Sequence, residues 1–184
     1  MAESENGQSN EGRAADTDLR PLIVTAGMEN AAQNHFDCLR QQYFPSERNW
    51  LSAHITLFHA LPGKERETVE QHLAQASSGL RPLTVTVESV RVLGNGVAFS
   101  LSSPALESLR ASLARRFQPW LTRQDQQGFR PHVTVQNKVS SETARALETK
   151  LSADFMPWSF TVTGLRLWRY DGGPWEKAAD FPII

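Results

Sequence analysis

Hydrophobic residues along the chain alternate between the spacing of strands and the spacing of helices. An apolar strand at 21–27 precedes a helix with one apolar face, and a strand at 54–59, a helix over 64–80 and a strand at 83–92 follow. The buried side changes partway along the last of these strands, which predicts a bulge. Two glycines around Asn95 then predict a hairpin turn.

The same order of elements begins again after this turn. The second half predicts a strand at 97–101, a helix over 105–121, a strand at 131–135, a helix opened by Ser140 and Ser141 as caps, and a strand at 160–170. A final strand at 175–181 closes the chain.

Two sequence segments repeat in step between the halves. His54-Ile-Thr-Leu recurs as His132-Val-Thr-Val 78 residues later, and Leu83-Thr-Val-Thr recurs as Phe160-Thr-Val-Thr 77 residues later. The pattern predicts two βαβαβ units, about 20–94 and 96–184, related by a pseudo-two-fold axis in an α+β fold.

Composition narrows the class of protein. The 184 residues are 40% hydrophobic and 21% charged, which is typical of a globular protein. No apolar run is long enough to span a bilayer and the first twenty residues lack the pattern of a signal peptide, so we expect a cytoplasmic protein without membrane contact. The single cysteine, Cys38, excludes an internal disulfide and a cysteine-based zinc cluster.

Charge is distributed unevenly along the chain. Residues 1–19 contain five acidic side chains and one basic one, lack apolar periodicity and are expected to form a disordered tail. The remainder, 20–184, holds 18 basic and 15 acidic side chains and is expected to form a single domain. This balance suits a phosphate-bearing ligand but lacks the basicity of a duplex-DNA binder.

The two His-x-Thr segments lie on predicted strands. Side chains alternate between the two faces of a strand, so His54 and Thr56 share one face, and His132 and Thr134 share the equivalent face of the second copy. If the two units face each other, these two polar pairs meet in a groove.

Two histidines and two threonines suit the cleavage of a phosphodiester. One neutral imidazole accepts a proton from the attacking group, while a protonated one donates to the leaving oxygen. The hydroxyls of Thr56 and Thr134 are donors for the charge on the non-bridging phosphate oxygens. Neither segment offers a carboxylate or second histidine at ligand spacing, so we expect no metal and no other cofactor. Pseudo-symmetry leaves open which histidine is the base.

The segments Ala53-His-Ile-Thr-Leu-Phe58 and Gly128-Phe-Arg-Pro-His-Val-Thr-Val135 resemble those of the two-histidine phosphoesterases. Within them, the chain is similar over residues 20–184 to the bacterial 2'-5' RNA ligase or RNA 2',3'-cyclic phosphodiesterase family. The resemblance implies a bilobal fold with mainly antiparallel sheets around a central groove. It also implies His54 and His132 as acid and base, and Thr56 and Thr134 as phosphate ligands.

The function expected from motif and resemblance together is a metal-independent phosphodiesterase. It opens ribose 2',3'-cyclic phosphates of RNA ends or nucleotides to 2'-phosphates, and we expect it to be a monomer. A 2'-5' RNA ligase or 2'-5' oligonucleotide phosphodiesterase is an alternative that uses the same site. A nucleotide-binding module without turnover is a third, which the two titratable pairs disfavour.

Further residues are weaker candidates for contacts with the substrate. Phe58 shares the groove-facing parity of the first motif and is a candidate for base stacking, while Arg130 and Gln136 share that of the second and are candidates for phosphate contact. His59 has the opposite parity and is expected to face the core or to lie at the strand end, with a structural role. The segments after the motifs, 59–62 and 136–138, depart from the family pattern and are expected to affect substrate choice.

Aromatic residues outside the motifs are expected mainly to pack. This interpretation covers four tryptophans: Trp50, Trp120, Trp158 and Trp175. The sequence does not settle the direction of Lys138, Trp168 and Tyr170, which lie at strand ends.

Overall fold

The computed structural model describes residues 18–170 and 172–184 and contains the predicted elements in the predicted order. The strands of the described residues are β1 Leu22–Met28, β2 Ile55–Leu61, β3 Leu83–Val92, β4 Val97–Ser102, β5 His132–Gln136, β6 Trp158–Arg169 and β7 Glu176–Pro182. The α-helices are α1 Asn30–Tyr43, α2 Arg66–Ser78, α3 Pro104–Arg116 and α4 Ser141–Ser152.

All these strands belong to one antiparallel sheet whose order mirrors the sequence repeat. The order is β2-β1-β6-β3-β4-β5, with β7 also paired to β6. Read from opposite ends, β2-β1-β6 matches β5-β4-β3 strand for strand. At the centre Thr84 lies opposite Thr161, flanked by the pairs Leu83–Val162 and Val85–Phe160. The predicted duplication is therefore confirmed as a pseudo-two-fold axis through the β3–β6 ladder.

The sheet curls so that its two end strands meet. β2 and β5 lie at opposite ends of the strand order and yet contact each other, and α1 of the first unit packs on β5 of the second. A single apolar core fills the space between the sheet and the helices, with Phe36, Phe58 and Phe117 among its largest fully buried side chains. This curvature brings the two His-x-Thr segments together.

Local sequence signals explain most element boundaries. Ser103 and Ser140 cap α3 and α4 by accepting hydrogen bonds from the amides of Leu106 and Thr143 at 3.3 and 3.1 Å. The helix predicted over 105–121 ends at Arg116, because Pro119 cannot continue the amide hydrogen-bond ladder. The predicted bulge in β3 is confirmed by a register shift against β4 between Val87 and Ser89.

The last two residues of the predicted tail, Asp18 and Leu19, belong to the described part of the chain. Residues 1–17 lie outside the described residues. Asp18 accepts a hydrogen bond from the Nε atom of Arg20 at 2.9 Å and lies 3.0 Å from Nε of Arg169 on β6. The first described residues are thus tied to the sheet.

The hairpin between β3 and β4 is closed by a hydrogen bond from the amide of Leu93 to the carbonyl of Gly96 at 2.9 Å, which confirms the predicted turn. Gly94 has a φ of 57°, in the left-handed region that favours glycine. A Cβ atom at Gly96 would lie 1.9 Å from the carbonyl oxygen of Gln136. Glycine therefore allows the end of β5 to approach this turn.

We expect Gly96→Ala to lower the free energy of unfolding by about 2 kcal/mol or more, because backbone atoms of β5 would have to move to admit the methyl group. Urea unfolding of both proteins measures this difference. Gly79→Ala is the matched control, since a Cβ there meets nothing within 4 Å. Equal losses in the two variants would contradict the packing argument.

Candidate active site

The two motif histidines make the same hydrogen bond at equivalent positions. Nδ1 of His54 lies 2.8 Å from the carbonyl oxygen of Ser52, and Nδ1 of His132 lies 2.9 Å from that of Arg130. A carbonyl oxygen can only accept, so each Nδ1 carries a proton and donates. In the neutral imidazole the lone pair is then on Nε2, and both rings are held in one tautomer.

The two motif threonines alternate with buried residues as predicted. Thr56 and Thr134 are half-buried, like His54 and His132, whereas the apolar residues between them are at most 1% exposed. Within the described residues, neither threonine hydroxyl is hydrogen-bonded to another side chain or to backbone. Both hydroxyls are thus available as donors.

Burial controls the titration of both imidazoles. It lowers the pKa of His54 to about 4, assisted by the charges of Arg40, His132 and His59 and opposed by the hydrogen bond to Ser52. Burial also lowers the pKa of His132 below its ordinary 6.5, opposed by the bond to Arg130. His54 lies directly before β2 and His132 is the first residue of β5, two strands that contact each other. Both imidazoles are neutral at physiological pH when no ligand is bound.

A bulge directly after each motif reverses the facing of the residues that follow. In β2, Thr56 pairs with Thr25 but Phe58 pairs with Val24, so Leu57 is an extra residue. In β5, Thr134 pairs with Ala98 and Gln136 with Val97, so Val135 is the extra residue. The two bulges occupy equivalent positions in the two units.

The predictions for Phe58 and Gln136 are wrong because of these bulges. Phe58 is fully buried in the core, with its ring centroid 5.2 Å from that of Phe117, and is not available for base stacking. Gln136 is 5% exposed and does not face the groove. Arg130 contributes its backbone carbonyl to His132, and its exposed side chain lies outside the groove lining.

The same shift brings His59 to the groove, where strand parity had predicted the core. Its side chain is 40% exposed, and its Nδ1 lies 2.8 Å from Oδ1 of Asp125, a carboxylate that is 1% exposed. Hydrogen bonds from His59, from its backbone amide and from Thr122 lower the pKa of Asp125, although burial opposes this. Sequence analysis missed this pair, which is separated by 66 residues.

Two buried arginines hold the motif strands from opposite units. Arg40 on α1 donates to the carbonyl of Thr134 in β5 at 2.9 Å, and Arg110 on α3 donates to that of Leu57 in β2 at 3.2 Å. They are 4% and 7% exposed, and burial lowers the pKa of both. Each unit therefore stabilises the bulged segment of the other.

A groove of about 1100 Å³ runs past these residues. His54, His59 and Thr134 line it, whereas His132 and Thr56 do not contribute to the lining itself. The groove also has aromatic walls, formed by Phe44, Trp50, Tyr170 and Trp175.

Two of the four tryptophans expected to pack are instead at the site. Trp50 is 61% exposed, and the ring of Trp175 lies 4.6 Å from that of His54. Trp120 and Trp158 do pack against the core, as predicted. The site therefore has stacking surfaces that the sequence pattern did not reveal.

Basic residues dominate the charge of the groove. Among the described residues, the cationic side chains in its lining are Arg40, Arg48, Arg123 and Lys138, against the single carboxylate of Glu47. A chain with a formal net charge of -1 thus concentrates positive charge at this surface. In the described part of the chain there is no cluster of three or more side chains suited to hold a metal ion. No described helix is both long and apolar enough to cross a bilayer.

Several solved structures share this architecture. A crystal structure described as a phosphoesterase matches with a TM-score of 0.63 and 15% identity over 90% of this chain and 99% of that one. The protein TT0787 of Thermus thermophilus matches with a TM-score of 0.64 and 11% identity over 89% and 97%. Escherichia coli LigT complexed with 3'-AMP matches with a TM-score of 0.57 and 15% identity over 90% and 99%. At these identities the likeness establishes the fold.

The sequence itself places the chain in a family. It belongs to the 2'-5' RNA ligase superfamily, whose model matches residues 28–174. No curated protein sequence is significantly similar to it. The resemblance seen in the two His-x-Thr segments is therefore confirmed.

Proposed function

We propose that the protein hydrolyses ribose 2',3'-cyclic phosphates to 2'-phosphates without a metal ion. The observation that carries this proposal is the equivalent hydrogen bond from Nδ1 of His54 and of His132 to the carbonyl two residues earlier. These bonds leave an Nε2 atom on each ring for proton transfer. Membership of the superfamily supports the same chemistry.

The lower pKa of His54 favours it as the base. Its neutral Nε2 takes a proton from a water molecule, whose oxygen attacks phosphorus as the bond from phosphorus to O3' breaks. Protonated His132 donates the Nε2 proton to O3', which leaves a 2'-phosphate and a free 3'-hydroxyl. One water molecule is consumed, and the two imidazoles exchange protonation states.

Groups around the histidines suit the rest of such a substrate. The hydroxyls of Thr56 and Thr134 donate to the non-bridging oxygens as negative charge increases on them. The ring of Trp175 beside His54 offers a surface for the ribose or base. LigT has been solved with 3'-AMP, NADP+ and phosphate, which supports a nucleotide ligand for this groove.

The test of this proposal is the product formed from a nucleoside 2',3'-cyclic phosphate in excess chelator, identified by phosphorus NMR. We expect turnover to the 2'-phosphate alone. Formation of the 3'-phosphate would reverse the assignment of the bond that breaks, and activity that appears only after zinc or manganese is added would overturn the metal-independent mechanism. If a 5'-hydroxyl attacks phosphorus in place of water, the same groups break the bond from phosphorus to O3' and form a 2'-5' linkage with a free 3'-hydroxyl, so ligation is tested with the same site variants.

The acid and base assignments predict an acidic optimum. His54 is neutral above about pH 4, and His132 is protonated only below a pKa that is itself lower than 6.5. The value of kcat/KM should therefore be highest between these limits and fall at higher pH as His132 loses its proton. The alkaline limb of kcat should lie at higher pH, because bound phosphate favours the imidazolium. A kcat/KM plateau that continues above pH 8 would contradict the assignment.

A further inference from the structure

His59 is a third histidine of the site. Like the rings of the two motif histidines, its ring is oriented by a hydrogen bond at Nδ1. Its Nδ1 lies 2.8 Å from Asp125, whose lowered pKa keeps the carboxylate ionised, so Nδ1 carries a proton and donates. Nε2, on the opposite edge of the ring, points away from Asp125. The His59 side chain is 40% exposed and lines the groove together with His54.

The partner of His59 is fixed from several sides. The Asp125 carboxylate also accepts the amide of His59 at 3.0 and 3.1 Å and the hydroxyl of Thr122 at 3.1 Å. Its backbone carbonyl accepts a hydrogen bond from Arg110. A carboxylate that only satisfied backbone amides would not need an imidazole on its exposed side. This network therefore sets the orientation of a ring that would otherwise rotate in solvent.

His59 lies in the same groove as the motif histidine His54. It follows His54 by five residues in the sequence, and both side chains line the groove. The equivalent residue of the second unit is Asn137, which also lines the groove but cannot become a cation. At this position the two halves of the site thus differ, with an imidazole in the first unit and an amide in the second.

The positive charge of the groove exceeds what one cyclic phosphate requires. A 2',3'-cyclic phosphate carries a single negative charge, and the proposed function already assigns to it two histidines and two threonine hydroxyls. Arg123 and Lys138 line the same groove in addition to these groups. Cations and oriented N–H donors in this number suit a second phosphate group.

We propose that His59, oriented by Asp125 and protonated on both ring nitrogens in the complex, donates a hydrogen bond from Nε2 to a second phosphate group of the substrate, next to the cyclic phosphate that is opened. The inference rests on the proposed function and adds the substrate class. Preferred substrates carry another phosphate, either the internucleotide phosphate of an RNA end or a 5'-phosphate on the same nucleoside. A nucleoside 2',3'-cyclic phosphate with no further phosphate is then a poorer substrate.

Three substrates and three variants test this inference. The substrates are a nucleoside 2',3'-cyclic phosphate, the same compound with a 5'-phosphate, and a dinucleotide that ends in the cyclic phosphate. For the wild type we expect kcat/KM to be at least about tenfold higher with a second phosphate in one or both of the larger substrates. His59→Asn and Asp125→Asn should each reduce this ratio towards one, mainly by raising KM. His72→Asn is the matched control and should keep the ratio, because this histidine pairs with Arg116 outside the groove.

The outcomes separate this inference from the proposed function. If the wild type opens all three substrates with equal efficiency, or if His59→Asn lowers kcat/KM by one factor for all three, the second-phosphate inference is wrong and the phosphodiesterase activity stands. If the wild type opens none of them, the proposed function itself fails. Both larger substrates carry the second phosphate on O5' of the nucleoside that is opened. A preference for the dinucleotide alone identifies the diester form of this phosphate as the ligand, whereas an equal gain from the 5'-phosphate shows that the monoester binds as well.

Discussion

His54→Ala and His132→Ala are each expected to lower kcat/KM for a nucleoside 2',3'-cyclic phosphate by about 10³-fold, since each removes one partner of a paired proton transfer. The two losses should not add in the double variant, because the base and the acid act in one step. Steady-state kinetics with all three variants measures both effects. The free energy of unfolding should change little, because each imidazole is half-buried and bonds only to a carbonyl at its own strand end.

The matched control for this experiment is His35→Ala. His35 lies on α1, where its ring packs edge-on against Trp158, and it is absent from the groove. We expect its kcat/KM to remain within about twofold of the wild type. A loss of less than tenfold in either motif variant would contradict the acid and base roles. A sensor without turnover would instead bind nucleotide equally well in all the variants and hydrolyse none.

Arg110→Met is expected to lower the free energy of unfolding by about 3 kcal/mol, the largest effect on stability that the structure predicts. The guanidinium donates to the carbonyls of Leu57 and Asp125 and lies 4.4 Å from the centroid of the Phe58 ring. Methionine fills similar space but leaves both carbonyls buried without a donor. Arg110→Lys should lose about half as much, since an ammonium cannot reproduce the planar fork.

The same substitution on an exposed part of α3 separates this effect from a change in helix propensity. Arg115 is exposed, and Arg115→Met should alter the free energy of unfolding by no more than about 0.5 kcal/mol. Urea unfolding of the three variants provides the comparison. Equal stability of Arg110→Met and Arg115→Met would show that the buried guanidinium does not stabilise the bulge in β2.

The features that the sequence predicted correctly depend on local spacing. The repeat of His54-Ile-Thr and His132-Val-Thr, and the period-two burial around them, follow from residues that are adjacent in sequence. The repeat also implied the symmetric strand order, because two similar units pair through equivalent edges. Caps such as Ser140 are local in the same sense.

The errors begin two residues after each motif, where burial depends on pairing with another strand. The extra residues Leu57 and Val135 are defined only by the register against β1 and β4. A strict alternation therefore placed Phe58 in the groove and His59 in the core, and the structure exchanges them. A bulge has no composition signal in these strands, since every residue involved is compatible with a regular strand.

Long-range contacts account for the residues that were missed. Arg40 and Arg110 lie on amphipathic helices, where a basic residue is ordinarily solvent-exposed. They are buried here because carbonyls of the motif strands accept hydrogen bonds from their guanidinium groups. Asp125 lies in a polar segment before β5 and meets His59 only in the folded chain. Trp175 reaches His54 because β7 pairs with the end of β6. None of these partners is near in sequence.

The central claim is that His54 and His132 perform complementary proton transfers, and a substrate with a better leaving group tests it most directly. In an analogue whose 3' bridging oxygen is replaced by sulfur, the leaving thiolate needs no proton, because thiols are much more acidic than alcohols. We predict that His132→Ala opens this analogue within about tenfold of the wild-type rate, while His54→Ala stays about 10³-fold slower. Equal impairment of both variants, or recovery of His54→Ala instead, would contradict the account.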